Sequence, residues 1–242
     1  MNFQNEIILI ASILVYFGAL VGMFRVFGKY GIYTWTVICT IAANIEVMIL
    51  VHAFGLDTTL GNVLFASSFL ATDIMSEVFG KKDANRCVKI GIAANIIFIC
   101  ISQSWRLFVP ADIPQEYGQM YEPIITVFKN TPRVMFSSLL AYVICEIYDV
   151  WAYHFIWSKT EKMTGDKRRF LWLRNNGSTL VSQLINTVAF NLLAFGGVFE
   201  TKVMISNLIF GYSIFIVTSL CDTPFIYLAR RIAEKSPEVL EK

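Results

Sequence analysis

Charged residues are scarce in this chain of 242 residues: Asp, Glu, Lys and Arg make up 16% of it, against about 25% in soluble globular domains. Hydrophobic residues reach 56% and the mean hydropathy is +0.58. So few charges cannot cover a soluble surface, and the composition implies an integral membrane protein. It also excludes disorder, and a net charge of +2 is too small for a nucleic-acid binder. The five cysteines (Cys39, Cys87, Cys100, Cys145 and Cys221) lack any CxxC spacing, so they read as small buried hydrophobes. His52 and His154 have no second His or Cys at ligand spacing, so no metal is expected. There is no GxxxxGK[ST] phosphate-binding loop, and no cofactor is implied. MNFQNE carries no Lys or Arg before the first apolar run, so that run reads as a retained span and not a signal peptide.

What the sequence has instead is long apolar runs. A membrane-crossing helix needs about 20 such residues, and seven stretches qualify: 6–27, 31–54, 60–79, 87–109, 133–157, 177–199 and 203–229. They are continuous and not alternating, which disfavours a β-barrel. The expected fold is therefore all-α, a polytopic transmembrane helical bundle of about seven spans. Lys and Arg divide unevenly between its two ends. Sixteen of the 20 lie in 24–30, 80–89, 158–176 and 230–242, while only Arg106, Lys129, Arg133 and Lys202 fall at the other end. By the positive-inside rule the C-terminus is cytoplasmic and the N-terminus outside. The connection 110–132 holds four of the six prolines. It reads either as a stiff connecting loop or as a lid over an outward-facing site.

Ionisable residues inside spans are costly and point to function. Asp73 and Glu77 are four apart and share a helix face, as do Glu146 and Asp149, three apart. The sixth stretch carries a polar stripe of Thr179, Ser182, Gln183, Asn186 and Asn191, and the seventh carries Asp222 just before Pro224. In the inferred topology these acids and amides fall within a layer roughly 15 Å thick at about 1.5 Å per residue. The spans hold no central Lys to neutralise them. Such a cluster can accept hydrogen bonds from a ligand or carry a proton, with Glu146, Asp149 and Asp222 as the proton-coupling candidates. Tyr148 and Trp151 flank Asp149 and are candidates to stack on a planar ligand. Glu46 and Asn44 belong either to this cluster or to a separate pair. Glu77 could instead cap the Lys81 and Lys82 end.

The segments ATDIMSEVFGKKDA (71–84), CEIYDVWAY (145–153) and RNNGSTLVSQLINTVAF (174–190) resemble the signature segments of the queuosine precursor transporter family, also called vitamin uptake transporters. The resemblance covers roughly 31–230. It implies three parts: an additional N-terminal helix over 1–30, a six-helix core over 31–230 and a short cytoplasmic tail over 231–242. The core is similar to the substrate-binding subunits of energy-coupling-factor vitamin transporters. Membership implies import of a 7-deazaguanine (preQ0, preQ1 or queuine) across the plasma (inner) membrane, with the site on Asp73, Glu77, Glu146, Asp149, Gln183 and Asn186. Family members often carry Asp where this chain has Asn186, which removes a charge there. The chemistry of the residues is compatible, because a carboxylate accepts from adjacent N–H donors and a carboxamide satisfies a carbonyl. The partners expected are the small base and the lipid bilayer, with no nucleic acid. A homodimer and a separate ATPase that supplies the energy both stay open, beside a proton-coupled carrier. An intramembrane aspartyl hydrolase is the competing class, but the chain lacks a GxGD motif. A retinal receptor is set aside because the seventh span has no Lys between Lys202 and Arg230.

Overall fold

The structure, a computed structural model, describes residues 4–109, 121–130, 132–198 and 200–241. Eight helices follow in order, with one hairpin between the first two: α1 (Gln4–Glu46), β1 (Leu50–Ala53), β2 (Leu56–Thr59), α2 (Gly61–Val78), α3 (Lys81–Ser104), α4 (Tyr121–Asn130), α5 (Pro132–Thr164), α6 (Leu171–Phe195), α7 (Thr201–Lys235) and α8 (Glu238–Glu241). Five are long and apolar enough to cross a membrane: α1, α3 with its short extension to Leu107, α5, α6 and α7. The fold is an all-α membrane bundle. The stiff loop or lid expected over 110–132 falls largely on 110–120, outside the described residues. Cys39, Cys87 and Cys145 are buried as expected, whereas Cys221 is half-buried and Cys100 exposed.

A straight helix of 43 residues would be about 65 Å long at 1.5 Å per residue. Yet near the start of α1, Asn5 Nδ2 donates to the His52 carbonyl at 2.9 Å, and the Phe54 N–H donates to Glu6 Oε1 at 2.8 Å. The two ends of α1 therefore lie together, and it is a helical hairpin with antiparallel arms, 4–27 and 29–46. The reversal falls on Gly28, at φ 59 and ψ −137, a conformation essentially confined to glycine. Gly31 then packs directly on the Met23 carbonyl, leaving no room for a Cβ.

One expectation needs correcting. The second apolar stretch does not stay helical to residue 54; the helix ends at Glu46 and residues 50–59 form the hairpin. Ala53 pairs with Leu56 across a two-residue turn. Phe54 and Gly55 both take positive φ, 54 and 78, as a type I′ turn requires. A short apolar run does not distinguish strand from helix by hydropathy.

α2 sits at the centre. Fourteen of its 18 residues are buried, and it packs against α1, α3, α5 and α7. Asp73, Glu77 and its serines lower its hydropathy, so it is not among the five. A helix walled on every side can carry such polar groups because they face protein and not lipid.

The two ends of the bundle differ. At one end Tyr33 donates to Asp83 at 3.2 Å, Arg230 donates to the Arg168 carbonyl at 3.1 Å and Arg168 pairs with Glu234 at 3.6 Å. That end gathers the basic segments. At the other, Arg133 donates to the carbonyls of Leu193 and Gly196 at 2.9 and 2.6 Å.

Gly31→Ala is expected to lower unfolding stability by about 1–3 kcal/mol, the cost of forcing atoms into a closed contact. Gly18→Ala, where a Cβ meets nothing within 4 Å, should be neutral or raise stability by up to about 1 kcal/mol. Thermal denaturation of the detergent-purified variants checks the pair.

Candidate functional site

Helical spacing brings side chains from α2, α5, α6 and α7 to one depth on the bundle axis. From α2, Ser68, Thr72 and Asp73 face inward; from α5, Glu146 and Asp149; from α6, Asn175, Thr179, Ser182 and Gln183; from α7, Asp222. The four carboxyl groups have at most 1% exposure. Each is held by neutral donors. Ser68 and Thr72 donate to the two oxygens of Glu146 at 2.7 and 3.1 Å. Ser182 donates to Asp149 Oδ1 at 2.7 Å, and Thr179 to Asp73 Oδ2 at 3.1 Å. Asn175 Nδ2 donates to Asp222 Oδ1 at 2.6 Å. The Asp149 and Asp73 carboxyls are neighbours, and Asp222 and Glu146 complete the acidic surroundings of Asp73. Among the described residues, no Lys or Arg side chain bonds to any of the four.

This layer is acceptor-rich and incompletely satisfied. Asp73 Oδ1, Asp149 Oδ2, Asn175 Oδ1 and Gln183 Oε1 are buried without a hydrogen-bond partner. Buried polar atoms are nearly always paired, so four orphans in one layer call for an explanation. All four are acceptors, which matches a ligand that brings donors.

Aromatic rings close the layer on the side of Asn186. Phe65 touches Phe69, Tyr142 and Phe215 at centroid distances of 5.6, 6.1 and 6.2 Å. Beyond them, Asn62, Phe65, Ser138, Asn186, Phe190 and Phe215 line a cavity of about 40 Å³. That volume holds a few waters at most and no heterocycle. A ligand larger than that reaches the acid layer by this route only if the helices move.

The sequence-predicted residues separate into three groups. Asp73, Glu146, Asp149, Gln183 and Asp222 come together on the axis, and Asn186 lies toward the small cavity, accepting from Cys145 Sγ at 3.8 Å. Glu77 does not join them. One turn beyond Asp73, it pairs with Arg174, whose Nη2 lies 2.7 Å from both Glu77 oxygens and whose Nε lies 2.9 Å from Oε2. Tyr153 donates to Oε2 at 2.8 Å and Arg230 sits 3.4 Å from Oε1. Its carboxylate is therefore filled, and it does not cap Lys81 and Lys82. Tyr148 and Trp151 stand elsewhere too. Trp151 is 49% exposed on the outer face and stacks on Phe155 at 5.3 Å, with Tyr148 against it at 5.6 Å. Residues 148 and 151 are turned away from the face shared by 142, 146, 149 and 153, and a ring that does lie beside the acids is Tyr142, next to Glu146.

Glu46 and Asn44 form separate contacts. Glu46 hydrogen-bonds Tyr16 on the other arm of α1, and Asn44 Nδ2 donates to Asn95 on α3 at 3.1 Å. Sequence reasoning missed Arg174, which has 0% exposure and lies 4.3 Å over the Trp157 ring. It reads as a loop cation because it opens a helix. The available signal was the lone Arg against the polar stripe that follows it.

A buried, acid-lined centre in a polytopic helical bundle is what a membrane transporter for a polar solute requires. The chain belongs to the vitamin uptake transporter family: the family model described as "Putative vitamin uptake transporter" matches residues 59–229. It is a multi-pass membrane protein, of the inner membrane in bacteria, and a transporter, not an enzyme. It is 34% identical over 221 residues to a Bacillus subtilis (strain 168) protein named "Probable queuosine precursor transporter", covering 90% of this chain and 92% of that one. No solved structure matches this chain significantly.

Removing one partner of a buried ion pair strands the other, at about 3–5 kcal/mol. Arg174→Met should therefore destabilise the protein by about that amount. Glu77→Leu combined with Arg174→Met should recover most of the loss, since a pair replaced by apolar residues is often neutral. Equilibrium unfolding in mixed micelles measures both.

Proposed function

We propose that this protein imports queuosine precursors, the 7-deazaguanines preQ0, preQ1 or queuine, as a proton-coupled secondary carrier. The observation that carries this reading is the row of orphaned acceptors at Asp73, Asp149, Asn175 and Gln183. A 7-deazaguanine presents adjacent N–H donors on its guanine-like edge, and carboxylate oxygens accept them. The relative's printed name supports the same cargo. Asp73, Glu146, Asp149, Gln183 and Asn186 form the binding layer in this reading. Glu77, Tyr148 and Trp151 are left out of it, because each is engaged elsewhere.

The Asp73–Asp149 contact supports proton coupling. Two neighbouring carboxylates repel each other and a proton taken up by either relieves the repulsion, while donors arriving from the base would compete for the same oxygens. The topology proposed is seven spans: the two arms of α1, then α2, α3, α5, α6 and α7. The basic end faces the cytoplasm and the N-terminus lies outside. The first arm stands as an addition to a six-helix core over 31–230.

The test is uptake into cells lacking their own importer and precursor synthesis but retaining the later pathway, read as queuosine in tRNA. Wild-type chain should restore the signal with at least one precursor, and a protonophore should abolish it. Asp73→Asn and Asp149→Asn should each lower uptake by about 10- to 100-fold, as losing a hydrogen bond to a charged group costs about 1.5–3 kcal/mol. Trp151→Ala should stay near wild type. Uptake preserved in both Asp variants would refute the site, and no uptake of any precursor by well-expressed protein would refute the cargo.

A further inference from the structure

The Glu77–Arg174 pair has a second meaning once its position on the axis is considered. On its cytoplasmic side a groove of about 310 Å³ reaches inward between α2, α5 and α7, and Glu77, Trp157 and Arg230 are among its walls. On its other side, one helical turn along α2, is Asp73, and next to Arg174 on α6 is Asn175, which holds Asp222. The groove therefore stops one turn short of the acid layer. Among the described residues, what separates them is the layer of Glu77, Arg174 and Tyr153. Glu77 and Arg174 side chains are 5% and 0% exposed, so the seal is tight. Arg174 is held on three sides, by the carboxylate, by the Trp157 face and by the Arg169 carbonyl at 2.9 Å.

The opposite side of the acid layer is closed differently, by apolar rings that part without separating charges. A charged, multiply bonded seal toward the cytoplasm and a neutral aromatic one toward the outside are unequal barriers. We propose that Glu77, Arg174 and Arg230 form the inner gate of the transporter, and that release of cargo to the cytoplasm requires α2 and α6 to part at the Glu77–Arg174 contact. Arg230, 16% exposed and 3.4 Å from Glu77, belongs to the groove wall and gives the carboxylate an alternative partner as Arg174 withdraws. An alternative partner matters because an unpaired buried charge would make opening prohibitively costly. This inference rests on the transport reading but not on the identity of the cargo.

Two arms of one experiment test it in the full-length chain. In the first, Glu77→Cys with Arg174→Cys is bridged by a short bifunctional thiol crosslinker, the bridge is verified by mass spectrometry, and precursor uptake is compared before and after. Bridging should abolish uptake while a singly reactive thiol reagent does not, and the parent chain should be indifferent to both. Unchanged uptake in a verified bridged sample would overturn the gate. The second arm does not depend on cargo. Ser76→Cys places a thiol at a buried position between Asp73 and Glu77, and a membrane-impermeant thiol reagent is applied from the cytoplasmic face of inside-out vesicles. Combining it with Glu77→Leu and Arg174→Met, the apolar replacement expected to keep the fold, should speed its modification by about tenfold or more, as a minor open state gains population. Equal rates with the pair intact and replaced would overturn the gate. If the parent chain moves no precursor, the cargo assignment fails in the first arm while the second still decides the gate.

Discussion

Four carboxyl groups buried near one depth, with no Lys or Arg among the described residues bonded to them, are the constraint on which the rest of this protein depends. Moving an ionised carboxylate out of water is prohibitive unless it is paired or hydrogen-bonded. Here the compensation is neutral: hydroxyls of Ser68, Thr72, Thr179 and Ser182 and the amide of Asn175. One turn along the same helix, Glu77 meets the same cost with a bidentate Arg174. The two solutions differ in what they leave available. A carboxylate filled by a guanidinium has nothing left to offer a ligand, whereas one held by a single hydroxyl keeps an oxygen available. The polar groups of α2 are tolerated because it is central, and it is central because α1, folded back at Gly28, walls it on one side.

Along the axis the side chains sort into layers with different physical jobs. Rings of Phe65, Tyr142 and Phe215 exclude water on one side; the acid layer lies beneath; the ion pair and the groove follow. Water exclusion strengthens each hydrogen bond inside the layer, so a ligand rich in donors gains most where the acceptors are driest. The same dryness means that binding requires helices to move. Pro224, inside α7 two residues beyond Asp222, removes a backbone hydrogen bond next to the site and is a natural point of flexure.

Much of this was legible in the sequence because membrane physics leaves few options. Apolar runs and the skew of Lys and Arg give a helical bundle and a basic end, and i, i+3 and i, i+4 spacing brings Glu146 with Asp149 onto one face. Helical spacing also misled. Glu77 shares a face with Asp73, yet the axis is long enough for the two to meet different partners. Tyr148 and Trp151 neighbour Asp149 in sequence, and neighbours on a helix point in different directions. Arg174 was hidden because a cation at a helix start resembles a loop charge until the opposing helix is known. The hairpin at 50–59 was hidden because hydropathy carries no turn geometry.

The most direct measurement of the central claim is the infrared difference spectrum of the carboxyl stretching region, recorded on purified protein as a queuosine precursor is added and withdrawn. If the acid layer receives the base, carboxyl bands will shift on binding, and the shift will change in Asp149→Asn, whose oxygen is one of the orphans. A precursor that binds while the carboxyl bands stay where they were would contradict the account.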